Sequence, residues 1–194
     1  MTRPRTIFAP FALIALFGVL LAVARVGDVS TAPREAEFTK GSRRAGEAPR
    51  LGLIIPVVGL AVSQLDDTWG EARSEGRSHE GIDLMAARGT EVIAAADGRI
   101  VKFFDSVRGG TTIYQFDASE RFVYYYAHLD ARARGLSEGA HVRQGDVIGY
   151  VGMTGNAPLP HLHFEIQRLT AARRWWEAES LNPYPLLVSG RAPA

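Results

Sequence analysis

"HLHFEIQR" occupies residues 161–168 and fixes the reading of the domain around it. In an extended strand, side chains two apart share a face. His161 and His163 therefore point together, while Leu162 and Phe164 point to the opposite, core-facing side. Pro160 fits as the residue that opens a strand. Two neighbouring imidazoles are costly to hold unless they bind something positive or share a proton task, and a metal is the simplest explanation.

Outward from this strand the texture stays extended. "TTIYQF" (111–116) and "RFVYYYAHL" (121–129) flank "DASE" as a hairpin. "EVIAAA" (91–96) and "GRIVKFF" (98–104) are separated by Asp97 and Gly98, a hairpin signal. "DVIGYVG" (146–152) reads as a further strand. One helical stretch is predicted, "TAARRWWEAES" (170–180). The expected fold is all-β, an antiparallel sheet with a barrel-like form. It should occupy residues 51–190, preceded by an N-terminal apolar helix and a linker.

That leader is residues 1–25. Arg3 and Arg5 precede an uncharged run from Thr6 to Ala24, long enough to cross a membrane. "AVA" at 22–24 also suits a cleavage site. A cleaved export signal and a retained anchor, with residues 6–24 in the membrane, both stay open. Each places the rest of the chain outside the cytoplasm, in the periplasm or an equivalent space. Residues 26–50 carry scattered charges, Pro, Gly and Ser without apolar periodicity, and read as a flexible linker. The formal net charge is +1, and acidic residues outnumber basic ones from Leu51 onward. No nucleic-acid partner is expected. There is no cysteine, so any zinc must be held by His, Asp or Glu.

The chain has five histidines. "SHEGID" pairs His79 with Asp83; Gly81 argues against a helix there, but a bend followed by a strand can bring the two to one point. His128 ends "YYYAH", and alternation assigns Tyr124 and Tyr126 to its face. His141 matches no pattern and is expected to face solvent. Trp175 and Trp176 either line a groove or, the commoner use of such a pair, pack the domain's end. Thr154, Gly155 and Asn156 are expected to form a turn at the groove rim.

Taken together, "HEGID", "YAHL", "GDVIGYVGMTGNA" and "HLHFEI" resemble the lysostaphin/LytM-type metallopeptidases, peptidase family M23. The resemblance covers roughly residues 51–188, including "LNPYPLL" near the end. It implies one zinc ion per domain, held by His79, Asp83 and His163. It also implies a catalytic pair, His128 and His161, one a general base and the other a stabiliser of developing negative charge. Three protein ligands leave a fourth position open, as catalytic zinc sites do. Glu165 either orients His163 or is a solvated strand residue. The implied activity is hydrolysis of peptide cross-links between the peptide stems of cell-wall peptidoglycan. The alternative is a non-catalytic wall-binding module or an activator of a separate wall amidase. Two departures are visible: "QFD" (115–117) lacks a histidine common in that strand, and "TGNAPLPHLHFE" replaces the more usual "TGxSTGPHLHFE".

Overall fold

The computed structural model describes residues 52–194. The predicted leader, 1–25 with its apolar helix, and the linker, 26–50, lie outside the described residues. Among the described residues no helix is long and apolar enough to cross a membrane.

The strands are β1 (Ile82–Met85), β2 (Glu91–Ile93), β3 (Gly98–Ser106), β4 (Gly110–Asp117), β5 (Phe122–Arg132), β6 (His141–Val142), β7 (Val147–Val151), β8 (His161–Leu169) and β9 (Ala178–Leu181). All pairings are antiparallel, in the order β1-β8-β5-β4-β3-β6; β9 adds to β8, and β7 joins β5 to β2. The sheet does not close, so the barrel-like expectation is corrected to an open sheet. The physical reason lies at its edges. β8 is covered by β1 along its first half and by β9 along its second, and β6 pairs only Gly98 and Arg99 of β3.

The β8 alternation is as expected. Leu162, Phe164 and Ile166 are fully buried with Ile82 and Leu84 of β1, and with Ile100, Ile113 and Tyr126. This apolar face anchors the strand, and truncating Phe164 to Ala should cost about 3–5 kcal/mol. The β4–β5 hairpin is present. Its turn is held by Asp117, whose Oδ1 accepts from the backbone N–H groups of Arg121 and Phe122.

Two local expectations fail. β2 and β3 do not pair across Asp97 and Gly98: β2 pairs β7, and β3 pairs β4 and β6. Asp97 instead accepts from the Gln144 backbone N–H. Gly98 is needed for close approach, since a Cβ there would lie 2.0 Å from the Phe116 carbonyl oxygen. Residues 170–180 form turns and then β9 rather than a helix. Arg173 has a left-handed φ of 51°, which interrupts any helical run. Among the described residues the α-helix is α1 (Tyr184–Ser189). Pro185 lies in its first turn, and left-handed Gly190 ends it.

Candidate active site

β1, β5 and β8 lie side by side and present one polar face. The register places Asp83 beside His163, and His163 beside Ala127. The small Ala127 side chain leaves room over the centre of this face. His79 enters from the bend that precedes β1. That bend needs glycine: a Cβ on Gly81 would lie 2.5 Å from the Phe164 carbonyl oxygen and 3.0 Å from His163 Cε1. The expected bend-then-strand geometry for His79 and Asp83 is therefore the one adopted.

Three atoms converge. His79 Nε2 is 2.9 Å from His163 Nδ1, and each lies 3.1 Å from Asp83 Oδ1. This group of His79, Asp83 and His163 could hold a metal ion. The donor set is two nitrogens and one oxygen. A tetrahedral ion with bonds of about 2.0–2.1 Å needs ligand atoms roughly 3.3–3.4 Å apart, a small outward adjustment from the spacing here. The residues fit such a group.

The rest of each ring is tied down. His79 Nδ1 lies 2.7 Å from the Thr68 carbonyl oxygen, and His163 Nε2 lies 2.8 Å from Glu165 Oε1. In the neutral rings, donation to these acceptors would leave the inward nitrogens bare, the tautomers that metal ligands require. Glu165 is buried and itself accepts from Gln167, so the orienting reading of Glu165 agrees with the geometry. Burial alone would raise the Asp83 carboxyl. Hydrogen bonds from His163 and His79, and their charges, outweigh burial and hold it well below the usual carboxylate range. Burial would lower His163, but its bonds to Asp83 and Glu165 prevail and raise it to about 9.

His128 and His161 stand on the same face, with ring centroids 4.8 Å apart. Their Nδ1 atoms lie 2.9 Å from the Thr154 carbonyl oxygen and 2.8 Å from the Leu159 carbonyl oxygen. His161 Nε2 is 3.5 Å from Asp83 Oδ1. Burial pushes His128 down to about 4, with the Thr154 bond only partly opposing it. All five predicted site residues thus line one groove of about 350 Å³. His141 is exposed and outside it, as expected.

The face assigned to His128 by alternation is corrected. Tyr124 and Tyr126 are buried in the core, where Tyr126 Oη donates to Gln115 Oε1. Along β5 and β4, Thr111 pairs with Leu129 and Ile113 with Tyr126, so Ala127 and His128 together oppose Thr112. This is a β-bulge, with His128 at a left-handed φ of 61°. It moves His128 onto the face of Tyr125, whose ring stands edge-on to His163 at 6.0 Å.

Other contributors carried no signal in residue spacing. Arg73 Nη2 donates to Asp83 Oδ2 at 2.7 Å and sits 2.7 Å from His79 Nδ1, leaving Oδ1 to face the histidines. Thr68 Oγ1 accepts from the Asp83 backbone N–H at 3.0 Å. The Thr154 turn, expected only at the rim, also anchors His128.

Residues 77–183 match the family described as Peptidase family M23. The chain belongs to this family, and its fold is of the lysostaphin/LytM type. The catalytic domain of the antimicrobial peptidase lysostaphin from Staphylococcus simulans aligns with a TM-score of 0.55 at 27% identity, over 65% of this chain and 94% of that domain. An L-Ala–D-Glu endopeptidase of Bacillus subtilis is 35% identical over 129 residues, 62% of this chain but 38% of its own length. The murein hydrolase activator EnvC of Escherichia coli is 30% identical over 156 residues, 80% of this chain and 34% of its own length. The chain thus spans well under half the length of these two curated relatives.

Proposed function

We propose that this chain is an exported zinc endopeptidase that hydrolyses the peptide cross-links of cell-wall peptidoglycan. The observation that carries this reading is the convergence of His79 Nε2, Asp83 Oδ1 and His163 Nδ1 within 2.9–3.1 Å of one another, beside two further anchored histidines. In this reading His79, Asp83 and His163 hold zinc, which would polarise the scissile carbonyl and activate water at neutral pH. Glu165 keeps His163 Nδ1 bare by accepting at Nε2, and Arg73 restricts Asp83 to one inward oxygen.

His128 is the general base. Its burial favours the neutral imidazole, Thr154 fixes Nδ1, and Nε2 remains to take the proton of the attacking water. His161, held by Leu159, offers Nε2–H to the developing oxyanion and then to the leaving amine. Support for a peptidoglycan peptide as the substrate comes from the relative named an L-Ala–D-Glu endopeptidase and from the family itself. Support for export comes from Arg3, Arg5 and the uncharged run to Ala24, as a cleaved signal or a retained anchor.

The relative named a murein hydrolase activator favours a second reading, in which the domain switches on a separate amidase. Retention of all five site residues in one groove weighs against it. The test is mass spectrometry of purified peptidoglycan treated with the zinc-loaded full-length protein. Conversion of cross-linked muropeptide dimers to monomers, with gain of one water, is expected. Release of intact stem peptides from glycan, or no new products, would overturn the endopeptidase reading.

A further inference from the structure

The chain has three tryptophans, and Trp69, Trp175 and Trp176 all line a single cavity of about 640 Å³. This cavity lies next to the active-site groove, and the two share Ser78, His79 and Glu80. Only one half of the expected packing role holds. Trp175 is packed, with its ring centroid 4.6 Å from Tyr114 and 5.9 Å from Phe104. Trp176 stands at 79° to Trp175 with centroids 5.3 Å apart, and it is 60% exposed. The Arg174 guanidinium lies 5.8 Å from its ring centroid. An indole left this open beside a catalytic groove forgoes burial worth several times that of a small apolar side chain, so the exposure calls for an occupant.

The lining chemistry selects that occupant. Around the indoles stand Glu80, Gln167, Glu179 and Ser180, acceptors and donors suited to hydroxyl and amide groups. Among the described residues no Arg or Lys lines the cavity itself, and the Arg174 guanidinium lies beside it against the Trp176 ring. On the other side of His79 the groove is walled by Arg73, Arg77 and Arg108. A stem peptide carrying carboxylates is favoured at the arginine side and disfavoured beside Glu179. A pyranose ring suits the tryptophan side: its C–H face is apolar and slightly positive, matching the negative face of an indole, and its rim of hydroxyls meets the polar side chains.

We propose that this cavity is a saccharide subsite, in which a neutral N-acetylated sugar of the glycan strand stacks on Trp176 while the attached peptide enters the groove past His79. The proposal takes its ligand class from the peptidoglycan reading, but its test needs no hydrolysis. Because all three tryptophans line the cavity, intrinsic fluorescence of the full-length protein reports on it directly. Titration with chitotetraose should give a saturable fluorescence change. Trp176→Ala should weaken that binding at least tenfold, and Glu179→Gln should weaken it less. Trp176→Ala should also lower the preference of the enzyme for glycan-bearing over glycan-free cross-linked peptides. No saturable change in the wild type, or equal affinity in Trp176→Ala, would overturn the subsite. So would a glycan-free stem peptide that reproduces the signal where chitotetraose does not. Sugar binding without peptide cleavage would sink the endopeptidase reading alone; cleavage without sugar binding would sink the subsite alone.

Discussion

β8 and β5 each deliver histidines to the same groove, by opposite means. β8 is a regular strand: His161 and His163 reach the site because side chains alternate, and Leu162 and Phe164 are buried because of the same alternation. β5 breaks its alternation at His128 with a bulge and a φ of 61°. An unbroken β5 would turn His128 toward the core with Tyr124 and Tyr126. The ladder of β1 and β8 carries Asp83 and His163, and the bend before β1 carries His79; the bulge places His128, and two loop carbonyls orient His128 and His161, the proposed proton-transfer pair.

That division can be broken most forcefully at the ligands. His79→Ala, Asp83→Ala and His163→Ala should each reduce peptide cleavage to the uncatalysed background, read as muropeptide monomers released over time. The proposed proton-transfer pair should respond less severely. His128→Ala and His161→Ala should lower kcat by about 10²–10⁴-fold, measured on the zinc-loaded proteins. Glu165→Gln exchanges a carboxylate acceptor for an amide behind His163. It should weaken zinc binding by about 10–100-fold in a competition titration with a chelator, while Gln substitution of Glu177, a half-buried partner of Arg174 outside the groove, should not.

The ligand side should also be sensitive to pH. In the metal-free protein His163 is raised to about 9, above its ordinary value, so it carries a proton at neutral pH. Zinc must displace that proton. Apparent affinity should therefore rise about tenfold per pH unit from neutrality and level off above about 9. By the same sign, the stabilisation this proton gives the metal-free fold is complete below the ordinary histidine value and is lost as pH rises through about 9. Proton release on zinc addition, followed in buffers of differing ionisation enthalpy, checks both. The smallest effect isolates the bulge itself. His128→Gly accepts the left-handed conformation without penalty and His128→Ala does not, so thermal denaturation should find the glycine variant about 1 kcal/mol the more stable.

What could be read from the sequence follows the same line. The β8 face, the His79–Gly81–Asp83 bend and the β4–β5 hairpin were legible because period-two patterning and turn chemistry act locally. The bulge was not, because the two-against-one pairing of Ala127 and His128 with Thr112 depends on a partner strand. Arg73 was hidden because nothing in its spacing marks a partner of Asp83. The carbonyl acceptors at Thr68, Thr154 and Leu159 are backbone atoms, which any residue supplies. Asp97 and Gly98 read as a hairpin because glycine signals both turns and close approach, and only the packing of β3 on β4 tells these apart. Residues 170–180 read as a helix, but local preference yielded to the pairing of β9 with β8.

The measurement that bears most directly on the division of the site is zinc content across the five alanine variants, by elemental analysis after exhaustive dialysis. About one zinc per chain is expected in the wild type, His128→Ala and His161→Ala, and little or none in His79→Ala, Asp83→Ala and His163→Ala. Full zinc occupancy in His163→Ala, or its loss in His128→Ala with the fold intact, would contradict that division.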